Sequence, residues 1–123
     1  MLHETGFFAI IQQSSSENAF GMVIRINPEH EIFKGHFPDL PIVPGVCLLQ
    51  IVREAVEIQL NKKQNIREVN NMKFLAPYNP MEQDTTMLSV SYVQEADLLK
   101  ISASLTGDAV TFFKLSAVFH DAN

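Results

Sequence analysis

The chain has 123 residues, 46% of them apolar, with a formal net charge of −5 and an isoelectric point near 5.2. That length supports one hydrophobic core without metal or disulfide staples, and the single cysteine, Cys47, excludes a disulfide framework or zinc spacing. The acidic balance argues against general nucleic-acid affinity, because phosphates demand a basic face. No basic leader with an apolar run opens the chain, and no apolar stretch approaches the ~18 residues of a membrane span, so a cytoplasmic protein without membrane insertion is expected.

Residues 6–13 read as a first strand, and Ser14 to Asn18 has the composition of a turn. From 19 to 26, Phe20, Met22, Ile24 and Ile26 recur with the period of a strand. Asn27-Pro28 ends it, and Glu29-His30-Glu31 reads as a short solvated segment. Pro38, Pro41 and Pro44 then punctuate a loop whose φ angles are held in the extended range. Beyond it a helix is expected from about Val46 to Asn61. Its first half is almost wholly apolar and so enclosed, whereas Arg53, Glu54, Glu57 and Gln59 give the second half a wet side. Cys47, inside the apolar run, reads as a buried structural thiol.

Residues 65–71 read as a polar connection to a short strand at 72–77. An antiparallel meander follows. Leu88, Val90 and Tyr92 share one face of residues 86–94, Glu95-Ala96-Asp97 turns the chain, and Leu99, Ile101, Ala103 and Leu105 alternate along 98–106. Gly107-Asp108 supplies a tight turn before a last strand with Phe113, Leu115, Ala117 and Phe119 inward. The pattern spells a single α+β domain over 1–123, with an antiparallel sheet wrapped against one long helix.

The chemistry concentrates at the start of the helix. A helix N-terminus offers unpaired N–H groups and a positive dipole end, and Gly45 would let a carbonyl come close to them. Such an oxyanion hole polarises a thioester carbonyl and acidifies its α-hydrogen. His36, nine residues earlier on the stiff loop, would serve as general base near neutral pH. The same residues also fit a purely structural role, His36 closing the loop and Gly45 relieving a tight start to the helix.

His36-Phe37-Pro38-x-x-Pro41-x-x-Pro44-Gly45-Val46 closely resembles the signature of hot-dog-fold 3-hydroxyacyl-acyl-carrier-protein dehydratases of type II fatty acid synthesis. Ile32-Phe33-Lys34-Gly35 before it and Val69 to Pro77 after the helix fit the same family. The resemblance implies a hot-dog fold, with two chains pairing sheets into a dimer whose active sites lie at the interface. The reaction it implies eliminates water from a 3-hydroxyacyl thioester to leave a trans-2-enoyl thioester; no cofactor is expected, and His30, His36 and the acids between them do not make a metal site. His36 would be the base, the Gly45 and Val46 amides the carbonyl clamp, and Phe37 and Phe74 neighbours of the acyl chain.

In that family the histidine meets a carboxylate on the central helix of the partner chain, fourteen residues past the histidine in the motif, and that position here is Gln50. An amide can hydrogen-bond a leaving hydroxyl but cannot protonate it. Three accounts stay open. Glu54, one turn on, is a displaced acid or a solvated carboxylate; a different dehydratase-like chain pairs with this one and supplies the acid; or the fold only binds acyl chains. Asp39 also stands where the family usually has glycine. A hot-dog thioesterase is a weaker alternative, since the proline-spaced loop belongs to the dehydratase side of the fold.

Acyl carrier protein, the partner this resemblance implies, is strongly acidic and needs a basic rim. Lys34, Arg53, Lys62, Lys63, Arg67 and Lys73, six of the nine basic residues, are the candidates. A homodimer, a higher oligomer of dimers, or a heterodimer with another dehydratase-like chain would satisfy the resemblance.

Overall fold

The computed structural model describes residues 1–35 and 41–122. The proposed base His36, its neighbour Phe37 and the atypical Asp39 lie outside the described residues. Six strands form one antiparallel sheet in the order β1-β2-β4-β5-β6-β3. The strands are β1 (Phe8–Ser16), β2 (Ala19–Ile26), β3 (Gln64–Phe74), β4 (Thr86–Glu95), β5 (Leu98–Gly107) and β6 (Val110–Asp121), and one helix, α1 (Gly45–Leu60), joins β2 to β3. This is the expected α+β hot-dog arrangement.

The alternating residues choose the inner face as expected. Phe20, Met22, Ile24 and Ile26 of β2, Leu88 and Val90 of β4, and Leu99, Ile101, Ala103 and Leu105 of β5 are buried, with Phe113, Leu115, Ala117 and Phe119 of β6. They share one core with Leu48, Ile51, Val52 and Ala55 of α1. Each such side chain contributes roughly 1.5–3 kcal/mol by leaving water, which holds the sheet on the helix and fixes where the helix begins. Cys47 is buried here too, and burial pushes its thiol pKa up. Asn61 ends α1 in the left-handed region (φ 54°), its N–H bonded to the Glu57 carbonyl, a stop that asparagine tolerates better than most residues.

Four expectations need correction. Ser14 to Ser16 belong to β1, opposite Gly21, Phe20 and Ala19, and the turn is only Glu17-Asn18, because hydroxyl side chains are acceptable on an exposed edge strand. Residues 65–71 are not a connection but most of β3, which pairs with β6 from Gln64↔Asp121 to Phe74↔Phe113. Their polarity reflects an edge strand exposed on both faces, with bulges at Ile66/Glu68 and Val69/Asn71. His30 is not simply solvated: it is half-buried, accepts the Ile32 N–H at Nδ1 and meets Thr5 Oγ1 at Nε2.

The fourth correction concerns α1. Val46, in the half expected to be enclosed, is 72% exposed, whereas Glu54 and Glu57, in the half expected to be wet, are buried. The N-terminal segment lies over Glu54 and supplies it with donors, so a carboxylate occupies what would otherwise be a water-facing position. No helix of the described residues is long and apolar enough to cross a membrane.

Candidate active site

Pro44 caps α1 with extended backbone (φ −62°, ψ 143°) and no side-chain cap bond. Its carbonyl takes the N–H groups of Cys47 (2.9 Å) and Leu48 (3.2 Å). The N–H groups of Gly45 and Val46 meet no acceptor among the described residues, which leaves two donors at the positive end of a sixteen-residue helix. The approach to the helix is pinned one residue earlier, where Val43 donates to the carbonyl of buried Tyr78 (2.9 Å).

Phe74, at the end of β3, roofs this helix start. A Cβ at position 45 would lie 2.6 Å from Phe74 Cζ, so glycine is required for the ring to sit where it does. Phe74 stacks on Phe113 at 5.5 Å and remains 54% exposed. The structure therefore brings Gly45 and Phe74 together, with exposed Val46 next to Gly45: an apolar plate beside two donors that have no acceptor among the described residues.

Glu54 is fully buried and surrounded by donors. Its Oε1 accepts the His3 N–H (2.9 Å) and meets His3 Nδ1 (2.5 Å); its Oε2 accepts the Leu2 N–H (2.8 Å) and the Gln50 Nε2 amide (2.8 Å). Burial pushes the carboxyl pKa up, but the bonds from His3, Leu2 and Gln50 together outweigh it, and the net shift is downward. This carboxylate is held ionised, as an acceptor. Gln50, the residue at the family's acid position, is thus tied to a carboxylate one turn away and not to its own backbone.

Arg53 does not touch Glu54. It donates from Nε to the Gln64 carbonyl (2.8 Å), approaches Gln50 Oε1 (3.4 Å), and lies 4.0 Å from Glu57, which in turn accepts the Gln64 N–H (2.8 Å). Half-buried and committed to these partners, it is the least available of the six basic candidates. The other five are exposed but dispersed. Lys34 follows the 3₁₀ turn Glu31–Phe33, Lys62 and Lys63 follow α1, and Arg67 and Lys73 lie on β3. Lys62 also faces Asp121 at 3.6 Å, and Lys73 stands opposite Lys114.

Sequence reasoning missed His3. Nothing periodic marks it, and its contact with Glu54 spans 51 positions. The one available signal was indirect: a carboxylate on a buried helix needs donors from somewhere.

Comparison with known proteins places this geometry in context. Residues 12–111 match the family model described as ApeI-like, ApeI dehydratase. Among curated relatives, the 3-hydroxyacyl-[acyl-carrier-protein] dehydratase FabZ of Bacillus cereus is 25% identical over 81 residues, 60% of this chain and 56% of that protein. The FabZ of a Wolbachia strain is 31% identical over 100 residues, covering 72% of this chain and 68% of its own length. The chain thus spans little more than half of the first of these relatives. Among solved structures, the dehydratase heterocomplex ApeI:P from Xenorhabdus doucetiae has a similar fold, with a TM-score of 0.73 at 20% identity over 91% of this chain and 96% of that one. So does the virulence protein Cj0977 of Campylobacter jejuni, with a TM-score of 0.70 at 11% identity over 97% and 86%.

Proposed function

We propose, from the premise that this chain belongs to the ApeI-like dehydratase family, that it acts on 3-hydroxyacyl thioesters carried by acyl carrier protein and eliminates water to a trans-2-enoyl thioester. The observation that carries this reading is the start of α1, where the Gly45 and Val46 N–H groups, without an acceptor among the described residues, lie beside Phe74. Two backbone donors in such a place stabilise the oxyanion that forms when the α-proton is removed. His36, ten positions before Val46, takes that proton. The apolar plate of Phe74, with Phe37 beside His36 in sequence, suits the first carbons of an acyl chain.

The Lys34, Lys62, Lys63, Arg67 and Lys73 cations serve the acidic carrier, with Arg53 contributing more to the internal network than to the rim. Two chains pair through the open edge of β3, whose outer side has no strand partner among the described residues. The experiment is to incubate the purified protein with 3-hydroxyacyl carrier protein and follow loss of one water by mass spectrometry. Turnover well above that of His36→Ala is expected; turnover equal to that variant would refute the reading for the homo-oligomer.

A second reading is favoured by Gln50 itself. The amide has no proton to give to a leaving hydroxyl, and its hydrogen-bond partner Glu54 is an ionised acceptor. In this reading the chain is one half of a heteromeric dehydratase, and the partner supplies the acid. The name of the ApeI:P heterocomplex makes that assembly a concrete precedent for the fold. Activity that appears only on mixing with a second dehydratase chain would select this reading; a fully active homo-oligomer would remove it.

A further inference from the structure

One short stretch of chain touches the helix start at two points. Phe74, at the end of β3, packs against Gly45, and Tyr78, four residues on, gives its carbonyl to the Val43 N–H at 2.9 Å. The stretch is fastened to β6 along its length. Phe74 stacks on Phe113 (5.5 Å), Leu75 donates its N–H to the Phe112 carbonyl (2.9 Å), and the Tyr78 ring stacks on Phe112 at 4.8 Å with 21° between the planes. β6 therefore carries residues 74–78, and these in turn hold the entry to α1.

Tyr78 is the fixed point of that stretch. Its side chain is fully buried, with the ring on Phe112 and the hydroxyl 3.2 Å from Thr86 Oγ1, the equally buried first residue of β4. Burial pushes the phenol pKa up, so the hydroxyl stays protonated and acts as an anchor. A buried hydroxyl keeps its partner because losing it is costly, and an offset aromatic stack adds to what burial alone contributes. The ring is thus held from two strands at once. Beyond Val43 the link to Gly45 is a single residue, Pro44, whose φ of −62° is locked by its ring. A displacement of the Tyr78 carbonyl therefore passes to the Gly45 and Val46 N–H groups, since the stiff link cannot absorb it.

We propose that Tyr78 is the positioning residue of the carbonyl site: stacked on Phe112, it sets through Val43 and Pro44 where the Gly45 and Val46 N–H groups point. This rests on the dehydratase reading above. Donors stabilise a forming oxyanion only when they already stand where its charge develops, and a misplacement of about 1 Å costs on the order of 10²-fold in rate. Being fully buried, Tyr78 acts through the backbone of residues 43–45 and not on the substrate. Phe74 shapes the same opening from the other side, so one stretch of chain supplies both the apolar plate and the alignment of the donors.

The test compares the full chain as wild type, Tyr78→Phe, Tyr78→Leu and Phe112→Leu, reading the amide chemical shifts of Gly45 and Val46 without substrate, and kcat and KM with 3-hydroxyacyl carrier protein. Tyr78→Phe keeps the stack and is expected to keep most of the wild-type kcat. Tyr78→Leu and Phe112→Leu each remove one face of it. Both amides are then expected to shift, and kcat to fall by about tenfold or more with KM little changed, because the donors act on charge that forms only during the reaction. Phe112→Leu carries the test by itself if Tyr78→Leu does not fold. A purely structural role would lower Tm and leave the two shifts and the kcat per folded chain at wild-type values; that result with an active wild type overturns this inference alone, as does a loss confined to KM. A wild type without turnover removes the dehydratase reading and this inference with it.

Discussion

Replacing Glu54 by glutamine isolates the charge at the centre of the cluster while keeping its shape. Each carboxylate oxygen receives two donors: His3 N–H and Nδ1 on Oε1, Leu2 N–H and Gln50 Nε2 on Oε2. An amide replaces one of those oxygens by NH₂, so in either orientation two donors face a third. Hydrogen bonds to a charged group contribute about 1.5–3 kcal/mol each, which sets a gross loss of about 3–6 kcal/mol. His3 is part exposed, so the terminal segment can turn to water and recover some of this. A net loss of about 2–4 kcal/mol at pH 7 is expected.

The pH dependence has a fixed sign. The folded-state pKa of Glu54 is lowered, so its contribution is fully present above the ordinary glutamate value and is lost as pH falls through the lowered one. Urea unfolding of wild type and Glu54→Gln at a series of pH values from 7 to about 3 should show their difference narrowing only on the acid side. A difference under ~0.5 kcal/mol at pH 7, within the range of ordinary surface substitutions, would refute the reasoning. So would a larger difference that stays constant to the acid end.

Two further substitutions probe the opposite ends of the site. Gly45→Ala places a methyl group 2.6 Å from Phe74 Cζ. The exposed ring can swing aside and alanine favours the helix by about 1 kcal/mol, so Tm should change little. Turnover should fall by about tenfold or more as the carbonyl position is disturbed, and Phe74→Ala should restore space but not the apolar plate; a Gly45→Ala enzyme with normal kcat/KM would count against the clamp. Gln50→Glu sets a second carboxyl against Glu54 at the present 2.8 Å contact. The pair must then share a proton at neutral pH, which supplies an acid where the family has one. Turnover of 3-hydroxyacyl carrier protein above that of wild type is expected; turnover no higher than wild type would count against Gln50 as the missing acid position.

Alternation and punctuation were enough to place β2, β4, β5, β6 and α1, because the period of burial is written in neighbouring residues and turns stop the chain where their backbone demands it. The proline-spaced loop and Gly45 pointed to a carbonyl site for the same reason: a helix start and a residue without Cβ are local facts. Only the end of β3, Met72 to Phe74, was legible; its first eight residues were not, since an edge strand exposed on both faces carries no alternation and exists through its pairing with β6. Nor was the condition of Glu54. Its four hydrogen-bonding contacts come from three residues and include backbone N–H groups 51 and 52 positions away, and only folding of that segment over α1 turns an apparently solvated glutamate into a buried, ionised hub. Local pattern therefore determines where the chain bends and which face it buries, whereas the ionisation and partners of a side chain depend on contacts that chain order does not encode.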